Sequence, residues 1–157
     1  MWTPEKAFAK FQSRVGQWKE LDSKSNEAVT RLKIINEVIF LVLGWPKSDV
    51  DVEKYCRDVG FADYVFTGAS APGLVLEAKK SGDTFTVSEA SFPSNPVPFA
   101  LMAKESPSAR AALTQAMGYA GTLGSRYIGI TNGHQWLFTL TFVDDQSIEE
   151  RLVYTFD

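Results

Sequence analysis

The stretch LVLEAKK, residues 74–80, constrains the fold more than any other part of the chain. Three large apolar residues in a row leave a strand no polar face, so it must be covered on both sides, as in the middle of a sheet. The run then meets Glu77, Lys79 and Lys80. A doubly covered strand carries such charges only where it emerges from the sheet, and something there must make their placement favourable.

The flanking patterns supply the cover. Thr3-Pro4 reads as an N-cap followed by proline at the first helical position, and Phe8, Phe11, Val15 and Trp18 then recur at helical spacing, which predicts an amphipathic first helix. Ser25 and Asn26 are candidate caps for a second helix from about Glu27 to Leu43, closed by Gly44-Trp45-Pro46. Its second half, IINEVIFLVL, is apolar nearly all round and is expected to be buried. From Asp49 the period changes: VDVEKYC alternates, FADYVF is short and aromatic, TGASAPG is a turn cluster, and LVLEAKK completes an antiparallel three-stranded meander.

Residues 81–106 are polar and proline-rich apart from FALM, and are read as a long connection or inserted loop. A third helix is predicted from Ser106-Pro107-Ser108 to Gly124, followed by the strand RYIGIT, a turn at Asn132-Gly133 and the return strand QWLFTLTF. LVYTF, near the end of the chain, is a candidate last strand, and its position suggests a fragment of something longer. The main order, α-α-β-β-β-α-β-β, predicts one α+β domain over residues 1–157, a central mixed sheet flanked by helices, with a helical extension over about 1–24.

Composition narrows the chemistry. With 45% hydrophobic residues the chain can build a core, and without about 18 consecutive apolar residues or a secretory leader it is expected to be soluble. One cysteine, Cys56, cannot form an internal disulfide, so a reducing, cytoplasmic setting is expected. One histidine, His134, in a predicted turn, leaves Cys/His zinc sites and Ser-His-Asp triads without material. The net charge of −3 offers no general basic surface for nucleic acid, although an enzyme that sets metal ions between its carboxylates and phosphates can be acidic overall.

Residues two apart on a strand share a face, so Glu77 and Lys79 point one way and Ala78 the other. Asp63, an unfavourable type inside a strand, can come beside Glu77 across the TGASAPG turn. Two carboxylates suit a hard cation such as Mg²⁺, which keeps waters and binds substrate phosphate. A lysine beside them can orient an attacking water and neutralise charge developing on phosphorus, the requirements of phosphodiester hydrolysis. The competing reading is a solvated salt-bridging face. Gln115 and Tyr119, four apart and so neighbours on one helical face, favour a site, because a buried amide needs partners.

In combination, ADYVF, LVLEAKK, QAMGYAGTLGSRYIGITNGHQWLF and the upstream NEAVTRLKIINEVIFLVLGWP resemble the N-terminal nuclease domain of type I restriction enzyme R subunits, within the PD-(D/E)XK nuclease superfamily. The resemblance runs in order over about residues 26–142. It implies a restriction-endonuclease-like core that hydrolyses DNA with Mg²⁺ or Mn²⁺ in a restriction or phage-defence system. It further implies Asp63 and Glu77 as metal ligands, Lys79 as their catalytic partner, Gln115 and Tyr119 as the substrate-positioning Q-x-x-x-Y motif, and Glu27 as the acid of the first core helix. Glu37 is the rival acid, and helical geometry sets it on a different face from Glu27. Residues 81–106 exceed the family's usual connection, and no G-x-x-x-x-G-K-[ST] loop is present, so the translocase that accompanies this domain is missing from the chain. The alternative is a catalytically inactive relative that binds nucleic acid or a partner protein.

Overall fold

The computed structural model describes residues 2–21, 25–68, 72–85 and 95–157. Helix α1 (Pro4–Lys19) starts as expected, with Thr3 Oγ1 accepting from the Lys6 amide. Its buried face matches the expected one in part: Trp18 is buried with Val15 packed beside it, Ala7 joins them, and Phe8 is 60% exposed. The neighbours of α1 lie on one side only, so aromatic spacing along it does not decide which aromatics are covered.

Asn26 caps α2 (Glu27–Thr30) by accepting from the Val29 amide at 2.9 Å. The helix then continues in wide π-type turns over Arg31–Ile35 and Glu37–Val42 rather than as a uniform α-helix. Bonds from Asn36 N to Arg31 O and from Leu43 N to Val38 O span five residues. Ile34, Ile35, Ile39 and Val42 are buried along this stretch, in line with its apolar sequence.

Strands β1 (Val50–Cys56), β2 (Gly60–Thr67) and β3 (Pro72–Ala78) form the expected meander; residues 69–71 of its TGASAPG turn lie outside the described residues. The alternation of β1 breaks at Glu53, whose φ is +53°, and Val52 and Tyr55 are exposed. Cys56 sits in a polar stretch of sequence yet is buried, because its rung with Gly60 brings it into the core beneath the later helices.

Of the segment 81–106 read as a loop, residues 86–94 lie outside the described residues, and the remainder holds two elements. Strand β4 (Val97–Pro98) leads into helix α3 (Phe99–Glu105). Phe99, Met102 and Ala103, at helical spacing, are buried. Fewer than two turns of helix give too short a period to stand out against the surrounding prolines. Helix α4 (Pro107–Leu123) has the ends expected of it: Ser106 Oγ accepts from the Ala109 amide, and Gly124 closes the helix at φ +68°. Strands β5 (Tyr127–Thr131), β6 (Trp136–Leu140) and β7 (Leu152–Phe156) follow. The expected order of elements thus lacked β4 and α3, while LVYTF, the candidate last strand, is β7.

Among the described residues the strands make one seven-stranded mixed sheet, ordered β1-β2-β3-β5-β6-β7-β4, and the chain is α+β. Only β3 and β5 run parallel, with α3 and α4 in the connection between them. The LVL run lies inside this sheet. Val75 packs into the cluster with Ala112, Leu113 and Ala116 of α4, and Leu76 into the cluster with Ile35 and Ile39. Among the described residues no helix is long and apolar enough to cross a membrane.

The loop between β5 and β6 holds four residues, since Thr131 pairs with Trp136. Asn132 Oδ1 closes it by accepting from the amides of His134 and Gln135. Gly133, at φ +90°, presses on the second helix: a Cβ there would sit 3.1 Å from Ile34 Cγ2 and 3.2 Å from Thr30 Cγ2. Gly133→Ala is therefore expected to cost about 1–3 kcal/mol through left-handed strain and overpacking. Urea denaturation reads this as a lower midpoint at unchanged slope, and an unchanged midpoint would show that the loop does not bear on the helix.

Candidate functional site

The site lies where β3 leaves the sheet. The β2–β3 rung Tyr64↔Leu76, carried one residue further, sets Asp63 opposite Glu77. Asp63 Oδ2 accepts from the Ala78 amide at 2.8 Å, which holds the two strand ends together. On the far side, the Lys79 amide donates to Thr131 O at 2.8 Å and continues the link to β5.

Glu77 is only 3% exposed. Its Oε1 accepts from Lys79 Nζ at 2.7 Å, the short approach that residues two apart on one face allow. Its Oε2 is buried without a hydrogen-bond partner, a costly state for a carboxylate oxygen. Burial, and then the charge of Asp63, push the Glu77 carboxyl up to about 7 against the opposing pull of Lys79.

Helix α4 brings Gln115 and Tyr119 to the same place. Gln115 Oε1 accepts from Lys79 Nζ at 3.2 Å, and its Nε2 donates to the Tyr119 hydroxyl at 3.1 Å. Tyr119, Gln115, Lys79 and Glu77 thus form one hydrogen-bonded chain. The i, i+4 spacing on the helix and the i, i+2 spacing on the strand meet at the lysine. The ammonium is held at a definite position by the Glu77 carboxylate on one side and the Gln115 amide on the other, and Gln115 itself is exposed rather than buried as the sequence reading expected.

The second helix supplies the remaining charges. Glu27, in its first turn, is partly buried; burial first and the Asp63 charge second raise its carboxyl, while Lys79 and Arg31 oppose the rise. Glu37 faces elsewhere: its Oε2 accepts from Trp18 Nε1 at 3.0 Å, and its Oε1 lies 3.8 Å from Arg14 of α1. Of the two candidate helix acids, Glu27 joins the cluster and Glu37 braces α1.

Two residues to which the sequence reading gave no role also reach the cluster. Arg31 lies 3.0 Å from Asp63 Oδ1. It stands four residues after Glu27, so helical spacing was a usable signal for it. Asp83 adds a carboxylate that also raises Glu27, and the Asp83 carbonyl accepts from Asn132 Nδ2 at 2.9 Å. Nothing local in SGDTF marks it, since the loop between β5 and β6 sets its place.

A hard cation fits this donor set. The unpartnered Glu77 Oε2 and the adjacent Asp63 carboxylate are the oxygens it would take, and Glu27 lies within their field. Among the described residues no three His, Cys, Asp or Glu side chains converge into a complete cage. Mg²⁺ does not require one, since one or two carboxylates suffice while waters and phosphate fill its other positions. Set against family models, curated proteins and solved structures, the chain matches none.

Proposed function

We propose that this chain is a Mg²⁺- or Mn²⁺-dependent endonuclease domain that hydrolyses DNA phosphodiester bonds. One observation carries the reading: a fully buried carboxylate, Glu77, with one oxygen on a positioned lysine and the other left unpartnered beside Asp63. Most buried polar groups are hydrogen-bonded, so an unsatisfied carboxylate oxygen calls for an explanation, and a bound cation supplies one. The resemblance of residues 26–142 to the nuclease domain of type I restriction R subunits supports the same reading and suggests a restriction or phage-defence role.

Asp63 and Glu77 would hold the ion, with Glu27 on the second helix as a further acid facing it. When bound, the ion supplies Lewis-acid polarisation of the phosphate and neutralises charge in the transition state. Lys79 positions the attacking water and stabilises the negative charge that grows on the phosphoryl oxygens. Gln115 fixes the ammonium, and Tyr119 fixes Gln115. Because Lys79 is held from two sides before substrate arrives, little reorganisation is needed at the moment of reaction.

The test is incubation of supercoiled plasmid with the protein in Mg²⁺, Mn²⁺, Ca²⁺ or EDTA, alongside a matched RNA. Nicked and linear DNA in Mg²⁺ or Mn²⁺, and none in EDTA, is the expected result. DNA binding that is unaffected by metal, with no cleavage under any condition, would instead identify a non-catalytic binding module. Cleavage of the RNA alone would move the substrate class.

A further inference from the structure

Asp63 has two oxygens and both are engaged. Oδ2 accepts from the Ala78 amide, a bond internal to the sheet. Oδ1 lies 3.0 Å from Arg31 Nη1, on a side chain only 14% exposed. The same nitrogen lies 2.7 Å from Glu53 Oε1, and the guanidinium carbon stands 5.2 Å from the centre of the Tyr64 ring. Arg31 therefore has one anchor on a candidate ion ligand and two anchors that are not ligands.

The Glu53 anchor is a built feature. Rungs Val52↔Tyr64 and Lys54↔Ala62 flank the position where Glu53 should pair with Asp63, and there β1 departs from strand geometry at φ +53°. A non-glycine residue in the left-handed region is strained and persists only where its surroundings impose it. At Glu53 the departure accompanies a second carboxylate on the same Arg31 nitrogen that Asp63 approaches.

From this geometry we infer that Arg31 is a placeholder cation. It neutralises Asp63 while no divalent ion is bound, and withdraws onto Glu53 and the Tyr64 ring when an ion takes Oδ1. The inference rests on the reading of Asp63 as an ion ligand. Arg31 and the ion compete for one oxygen, so each weakens the hold of the other. Glu53 favours the ion, because it gives the displaced guanidinium a partner. Arg31 is thus a positioning residue that sets the ion affinity of the site and neutralises Asp63 in the ion-free protein.

Isothermal titration of the full chain with Mg²⁺, and with Ca²⁺ as a second probe, tests this without reference to cleavage. Arg31→Gln is expected to bind Mg²⁺ about five- to tenfold more tightly than the wild type. Glu53→Gln is expected to bind it more weakly, and to lose that effect in the Arg31→Gln background, because Glu53 acts through Arg31. Asp51→Asn, on the same strand, removes an equal charge without touching Arg31 and should change affinity less than Glu53→Gln. Asp63→Ala should lose binding. If Asp63→Ala binds as the wild type does, the ion-ligand reading falls. If Asp63→Ala loses binding while Arg31→Gln binds no more tightly than the wild type, the ion site stands and the placeholder falls. Should Arg31→Gln fail to fold, the Glu53 and Asp51 pair decides: equal effects overturn the inference.

Discussion

Glu77→Gln should be more stable than the wild type at about pH 8, by on the order of 3 kcal/mol, and the two should converge near pH 4. The cause is the burial of a carboxyl whose second oxygen has no partner. Burial first, and the Asp63 charge second, raise its pKa from 4.5 to about 7. A carboxyl raised on folding contributes stability that is complete below its unfolded value of 4.5 and is lost as pH rises through about 7. Wild-type stability should therefore fall between those limits, where ionisation of Glu77 forces a buried charge. Glutamine keeps the shape, still offers an oxygen to Lys79 Nζ and cannot ionise. Urea midpoints for both proteins across about pH 4–9 measure the difference. Parallel profiles would show that Glu77 titrates normally and that the site is not the desolvated one described. Mg²⁺ at neutral pH should raise the wild-type midpoint and leave that of Glu77→Gln nearly unmoved, because a ligand stabilises only the state that binds it.

The second large effect is kinetic. Lys79→Ala should lower Mg²⁺-dependent plasmid cleavage by about 10²–10³-fold, the loss typical of one preorganised group that stabilises transition-state charge. Asp63→Ala and Glu77→Ala should abolish cleavage, since each removes a carboxylate proposed to hold the ion. Gln115→Ala should fall between, by about ten- to a hundredfold, as expected when a group that supports the site is removed. It frees Lys79 Nζ on one side only, because the Glu77 bond remains. Tyr119→Phe should do less again, as it removes only the acceptor for Gln115 Nε2. That ordering is what the hydrogen-bonded chain requires. Initial rates of nicking, with folding checked by circular dichroism, measure it. If Lys79→Ala or Glu77→Ala cuts at the wild-type rate, the assignment is wrong.

Much of the site is local pattern. Glu77 and Lys79 meet because a strand repeats every two residues, and Gln115 and Tyr119 meet because a helix returns a side chain after four. Asp63 was within reach because a hairpin pairs strands in register, and Tyr64↔Leu76 sets that register. The ends of α4 were legible for a similar reason: Ser106 and Gly124 satisfy backbone groups within a few residues of themselves.

What the sequence by itself determined was therefore period and punctuation: a doubly covered LVL strand, the charges at its end, helix caps, and an α+β alternation of elements. Tertiary structure alone decided which charges converge. Glu27 rather than Glu37 joins the cluster, Arg31 closes on Asp63, and Asp83 approaches from a segment read as a loop. Helix α3, the burial of Cys56 and the exposure of Phe8 belong to the same class. The physical reason is range. Hydrogen-bond and side-chain periods act over two to four residues and are written into neighbouring letters. Which face of a helix is covered, and which carboxylate meets which cation, depends on packing between elements far apart in the chain, as when Arg31 of the second helix bridges Glu53 of β1 and Asp63 of β2.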